Sequence, residues 1–147
     1  CKNCPCSIDC IAYQEGLSHI LPTKKKSQKK KTISEYFLII RFEDGSFILE
    51  KRNNEGIWGG LWSLPQVNIK EDPLKCCKSI VSNSLIDSKK LKVIRHSFSH
   101  YHLEMHPVEI YLRGKFTSSN NQMKCFNKNN IHKLGLAAPI KIIINSL

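Results

Sequence analysis

Residues Tyr36 to Lys51 read YFLIIRFEDGSFILEK, and this stretch decides the fold. Tyr36, Leu38, Ile40 and Phe42 alternate with Phe37, Ile39 and Arg41. Both halves of this period-two pattern are mostly apolar, so the segment is a strand largely buried on both faces. Asp44-Gly45 then supplies the chemistry of a tight hairpin turn. Ser46 to Lys51 is the returning strand.

Working outward, NNEGIWGG (residues 53–60) is a loop whose glycines permit backbone contortion. Leu61 to Val67 is a short strand ended near Pro65. Asp72-Pro73 is a helix start, with a capping carboxylate followed by proline at the first helical position. Leu74, Cys77, Val81 and Leu85 recur at helical spacing, which predicts a helix over 72–85. Cys76 and Cys77 become helix residues, one of them facing the core. Strands are predicted at about 91–97 and 101–113, and Pro107 in the second implies a bulge or an edge. A closing helix begins around Pro139 and carries Ile140, Ile143 and Ile144. No internal repeat is visible. This order of elements is an α+β domain with a mixed sheet.

A chain of 147 residues supports one domain and some tail. It has neither a run of about 20 apolar residues to span a membrane nor a signal-peptide core. A soluble, intracellular chain is expected. The formal charge of +11 points to a polyanionic partner. Seven lysines face three acids in residues 1–35, and sixteen basic residues face nine acids in 36–147. The bias is therefore global, with a local spike at Lys24, Lys25, Lys26, Lys29, Lys30 and Lys31. That spike lies in a polar stretch, 14–35, which reads as a linker. Its lysines suit a solvated tether as well as phosphate contact.

Seven cysteines are an odd number, and four of them fall in the first ten residues. Clustering of that kind suits metal ligation better than disulfide stapling. Cys1-x2-Cys4-x5-Cys10 fits an iron–sulfur cluster, which takes four cysteines. A zinc set of Cys1, Cys4, Cys6 and Cys10 is the rival, and free thiols are the plain alternative. A second cluster, His96, His100, His102 and His106, lies within RHSFSHYHLEMH. By alternation His100 and His102 would share one face of a strand, which suits two imidazoles. No carboxylate is clearly placed as a third ligand, although Glu104 shares their face by parity. These histidines read as hydrogen-bonding and packing groups. The glycine loop lacks the Gly-Lys-Ser/Thr ending of a phosphate-binding loop. Helix 72–85 carries lysines and serines where magnesium-holding carboxylates would sit, which argues against nucleotide hydrolysis. Trp58 and Trp62 are expected to anchor core or loop.

Three segments together resemble the MutY family of adenine DNA glycosylases, which act on adenine opposite 8-oxoguanine. CKNCPCSIDCIAY is similar to the last three cysteines of that family's C-x6-C-x2-C-x5-C motif. GIWGGLWSLPQ and RHSFSHYHLEMHPVE are similar to signature loops of its Nudix-like C-terminal domain, and LGLAAPIKIIINSL to its closing helix. The resemblance implies a Nudix (MutT-like) fold, a mixed β-sheet flanked by helices. It divides the chain into the end of an iron–sulfur motif (1–13), an interdomain linker (14–35) and an 8-oxoguanine recognition domain (36–147).

The implied parent is a glycosylase of base excision repair that hydrolyses an N-glycosidic bond. Its catalytic half and first cluster cysteine would stand upstream, and this chain alone would be inactive. Cys1, Cys4 and Cys10 would be ligands two to four of a [4Fe-4S] cluster, with Cys6 extra to the pattern. The implied partner is double-stranded DNA holding an 8-oxoguanine:adenine mispair, bound by a monomer. The implied setting is the bacterial cytoplasm, at the nucleoid and not secreted. Phe98, Ser99 and His100 would meet the lesion. Guanine N7 is a bare acceptor, whereas 8-oxoguanine carries an N7–H donor and an added O8 acceptor. A small hydroxyl such as Ser99, with adjacent backbone amides, answers both. Phe98 would add apolar contact, and His100 would order the loop or reach phosphate. Lys24, Lys25, Lys26, Lys29, Lys30 and Lys31 would lie against the DNA backbone. Two other readings compete: a Nudix-type hydrolase of an oxidised nucleotide, and a zinc-dependent interaction module.

Overall fold

The computed structural model describes residues 1–23, 29–116 and 122–147. Its strands in chain order are β1 (Lys31–Phe42), β2 (Phe47–Lys51), β3 (Trp62–Ser63), β4 (Gln66–Asn68), β5 (Leu85–Lys90), β6 (Ile94–Ser97), β7 (Tyr101–Leu112) and β8 (Met123–Phe126). The α-helices are α1 (Ile11–Gln14), α2 (Pro73–Ile80) and α3 (Ala138–Asn145). The centre of the sheet is β1 beside β7, parallel and in register from Lys31↔Tyr101 to Phe42↔Leu112. Each long strand is flanked on its other edge by two short antiparallel partners. β4 and then β2 run along β1, while β6 and then β5 run along β7. β3 and β8 extend the sheet from β2.

The double-sided apolar pattern of β1 has its physical answer in two cores. Phe37 and Ile39 face one way, with Leu49, Leu64, Leu103 and Met105, against Ile140, Ile143 and Ile144 of α3. Leu38, Ile40 and Phe42 face the other way, with Val67, Val108, Ile110 and Leu112, against Cys77 and Val81 at α2. The hairpin turn is as expected: Gly45 takes φ +77°, a left-handed conformation that glycine adopts freely, and the Ser46 amide donates to Asp44 Oδ1 at 2.9 Å. Arg41 breaks the apolar run for a reason. It pairs with the buried Glu109 at 2.8 Å and donates to Tyr111 Oη at 2.9 Å.

Three sequence-based expectations change. The first strand begins at Lys31, not Tyr36, because pairing with β7 extends it through Lys31–Glu35. Helix α2 stops at Ile80: Val81 is already extended (φ −140°, ψ 136°), and Leu85 opens strand β5 instead of completing a helix over 72–85. Asp72 does cap α2, its Oδ1 accepting from the Leu74 amide at 2.9 Å. Leu61–Val67 is broken into β3 and β4 around Leu64-Pro65. The bulge or edge expected at Pro107 is met in part. β7 pairs with β1 without a break, but on its other side the register slips by one residue between Ile94↔Met105 and Lys90↔Val108, opposite Pro107. Its carbonyl accepts from Leu91 at 2.9 Å, at the hand-over from β6 to β5. The amide that proline lacks points to that same gap, where neither short strand pairs with it. Among the described residues, no helix is long and apolar enough to cross a membrane.

Burial gives Cys77 a chemistry unlike that of the N-terminal thiols. It is 2% exposed, and desolvation pushes its thiol up from 9.0 to about 11. For an acid, that shift favours the protonated form in the fold. The resulting stability is present at low pH and fades as pH rises past the unfolded thiol's value. In the native chain at pH 8, alkylation followed by peptide mass spectrometry is expected to modify Cys77 about 100-fold more slowly than exposed Cys1, Cys4 and Cys6. Comparable rates would place Cys77 outside the core.

Candidate nucleic-acid interface

β6 and β7 form an antiparallel hairpin whose last pair is Ser97↔His102. The Phe98 amide donates to the Tyr101 carbonyl at 2.9 Å and closes the turn, which leaves Ser99 and His100 as its exposed two-residue tip. Ser99 Oγ lies 3.0 Å from His100 Nδ1, and Ser97 Oγ lies 2.8 Å from His102 Nδ1. A hydroxyl thus fixes each of these two imidazoles. His100 stands on the tip and not within the strand, so it does not share a strand face with His102.

Phe98 is not a free finger. It is half-buried, with ring centroids 4.8 Å from Tyr101, 4.7 Å from His96 and 5.7 Å from Trp58. The expected apolar contact with a base therefore falls on a ring that already buttresses the tip from behind. Trp58 comes from the glycine loop between β2 and β3 and holds a left-handed φ of +58°. Its neighbour Gly59 approaches so closely that an added Cβ would lie 2.3 Å from the Asn54 carbonyl oxygen. Sequence composition flagged loop and hairpin separately; the fold stacks one against the other.

Of the six lysines expected at DNA, Lys24, Lys25 and Lys26 lie outside the described residues. Lys29 is exposed. Lys31 opens β1 directly opposite Tyr101. Lys30 Nζ donates to the Phe98 carbonyl at 2.8 Å. Lys30 and Lys31 therefore stand at the base of the hairpin instead of along a distant tether.

Beneath the hairpin is a cleft of about 210 Å³, lined in part by Trp58, Tyr101, Ile33, Glu35, Arg52 and Gln66. Arg52 Nη1 donates to Gln66 Oε1, and Gln66 Nε2 donates to Glu35 Oε2 at 2.9 Å. Burial, then the charge of Glu35, pushes the Tyr101 hydroxyl up, so it remains a neutral donor. Sequence reasoning missed this relay, because only the pairing of β1 with β4 brings Glu35 and Gln66 together. The one available signal was the polar Glu35 ahead of the apolar run. Helix α2, PLKCCKSI, carries no carboxylate with which to hold a metal–phosphate substrate.

The four histidines are engaged separately. His96 packs on Trp58 at 6.0 Å, and His106 meets Tyr36 edge-on at 6.0 Å. At the N-terminus, Cys1, Cys4 and Cys6 are exposed and Cys10 is half-exposed. Among the described residues, no group of three His, Cys, Asp or Glu side chains is arranged to hold a metal. A four-iron cluster takes four thiolates, of which Cys1, Cys4 and Cys10 would supply three.

Residues 36–146 match the NUDIX domain family. The chain is 28% identical to an adenine DNA glycosylase of Buchnera aphidicola subsp. Schizaphis graminum, over 98% of this chain and 42% of the relative. It is 30% identical to that of Buchnera aphidicola subsp. Baizongia pistaciae, over 100% of this chain and 42% of the relative. It thus spans about two-fifths of the length of these curated relatives. Among solved structures, the C-terminal domain of mouse MUTYH, crystallised with human PCNA, has the same fold. The TM-score is 0.62 at 13% identity, over 76% of this chain and 84% of that one. With a family match over most of its length and a two-sided mixed sheet to go with it, the chain belongs to the NUDIX domain family.

Proposed function

We propose that this chain is the lesion-recognition part of an adenine DNA glycosylase, reading 8-oxoguanine opposite adenine through the Ser99–His100 tip. The observation that carries the reading is the buttressed hairpin. A small hydroxyl and an imidazole project from a turn buttressed by Phe98, Trp58 and Tyr101, with Lys31 opposite Tyr101 at its base. That arrangement suits a purine edge presenting a donor and an acceptor, with phosphates nearby. The similarity to adenine DNA glycosylases along the whole chain supports the same reading. In the parent, N-glycosidic cleavage would be the work of residues outside this chain. Hydrolysis of an oxidised nucleotide is disfavoured by the lysines and cysteines of α2.

The test titrates the 147-residue chain, at one fixed salt, with duplexes carrying 8-oxoguanine or guanine opposite adenine. Tighter binding of the 8-oxoguanine duplex is expected, without adenine release. Magnesium-dependent cleavage of 8-oxo-dGTP, or equal binding of the two duplexes, would overturn the proposal.

A further inference from the structure

Lys30 belongs by sequence to a run of lysines, and its expected role there is a phosphate contact. Its geometry says something else. Its Nζ donates to the Phe98 carbonyl at 2.8 Å, a contact between residues 68 apart in the chain. Phe98 is the residue whose amide closes the hairpin on Tyr101 and whose ring rests on Trp58 and Tyr101. The Phe98 carbonyl belongs to the peptide unit that leads into Ser99, so whatever holds that carbonyl also sets where the Ser99 amide and hydroxyl point. The next residue, Lys31, is locked into β1 opposite Tyr101, so the clamp has a fixed base. A lysine on a free tether would lose much side-chain entropy in such a contact; one anchored by the adjoining strand loses less.

We infer that Lys30 is a positioning residue for the lesion-reading tip, holding the peptide that orients Ser99, and that it acts on selectivity instead of neutralising phosphate. This inference rests on the proposed reading of 8-oxoguanine by Ser99. It also separates Lys30 from Lys29, a neighbour of the same charge that is exposed just as Lys30 is. A phosphate contact would add affinity for any duplex and steepen the salt dependence by about 0.9 in log–log slope. A positioning contact would change the preference for 8-oxoguanine and leave that slope nearly unaltered.

The experiment uses the full 147-residue chain with Lys30→Met, Lys30→Arg, Lys29→Met and Ser99→Ala. The ratio of dissociation constants for guanine and 8-oxoguanine duplexes is measured across a salt series. Lys30→Met is expected to lower that ratio about two- to tenfold, the loss of one hydrogen bond. Lys30→Arg, which keeps a donor within reach, should restore most of it, and Lys29→Met should leave it unchanged. In the free chain, hydrogen exchange at the Phe98 amide should quicken in Lys30→Met and not in Lys29→Met. If Lys30→Met and Lys29→Met instead flatten the salt slope alike and leave both ratio and exchange unchanged, Lys30 is a phosphate contact and the inference is wrong. Should Ser99→Ala lower the ratio while Lys30→Met does not, the lesion reading stands and the positioning role falls. Should the unaltered chain show no preference, both fall.

Discussion

Phe37→Ala lowers the unfolding free energy by about 3–5 kcal/mol, the range expected for emptying a buried aromatic site. Phe37 is fully buried, in the core that α3 closes. Its backbone is held on both edges, opposite Pro107 of β7 on one side and Gln66 of β4 on the other. A strand pinned in this way cannot collapse into the vacated space, which places the cost towards the upper end of the range. Ile142 offers the contrast. It is an isoleucine of α3 turned outward and 60% exposed, and its replacement by alanine should cost about 0.5 kcal/mol or less. Urea titration of the two variants, compared at equal m-value, measures the difference. Similar midpoints for both would mean that β1 is not buried on two faces.

That two-sided burial was legible in the sequence because YFLIIRF carries its signal on consecutive residues. The turn at Asp44-Gly45, the cap at Asp72 and the spacing of Ile140, Ile143 and Ile144 are also local, and they too were legible. What was not legible depends on pairing at a distance. Lys31–Glu35 show little apolar alternation, yet they form strand because β7 lies alongside them. Leu85 fits the helical spacing of Leu74, Cys77 and Val81, but the chain turns extended at Val81. Asn83 is then held away from a helical path by its side chain, whose Nδ2 donates to the Arg113 carbonyl at 2.7 Å. β5 is exposed along its whole length, so hydrophobic periodicity carries no trace of it. β8 escaped for a related reason, since Met123–Phe126 becomes strand through pairing with β2.

The candidate site divides in the same way. RHSFSHYH announced itself by composition, and the histidines are indeed hydrogen-bonding and packing groups. Its internal division of labour was hidden. Sequence treats Phe98, Ser99 and His100 as one unit, whereas the fold turns Phe98 inward on Trp58 and leaves Ser99 and His100 outside. Trp58 lies 40 residues earlier in the numbering, and Lys30 is 68 residues from Phe98, so neither partnership could be read from spacing.

The central claim is that Ser99 reads the lesion, and Ser99→Ala tests it most directly. Ordinary guanine has neither the N7–H donor nor the O8 acceptor, so a partner for these groups matters for the oxidised base alone. Removing the hydroxyl leaves one of them unmet at the interface, at a cost of about 1–3 kcal/mol, or roughly five- to a hundredfold in affinity. Ser99 is exposed at a hairpin tip, and its loss should leave the fold intact. The measurement compares dissociation constants of the unaltered chain and Ser99→Ala for 8-oxoguanine and guanine duplexes at one fixed salt, each with a non-cleavable adenine analogue opposite. The account predicts that Ser99→Ala weakens binding of the 8-oxoguanine duplex by that factor and leaves the guanine duplex unchanged. Equal weakening of both duplexes, or of neither, would contradict it.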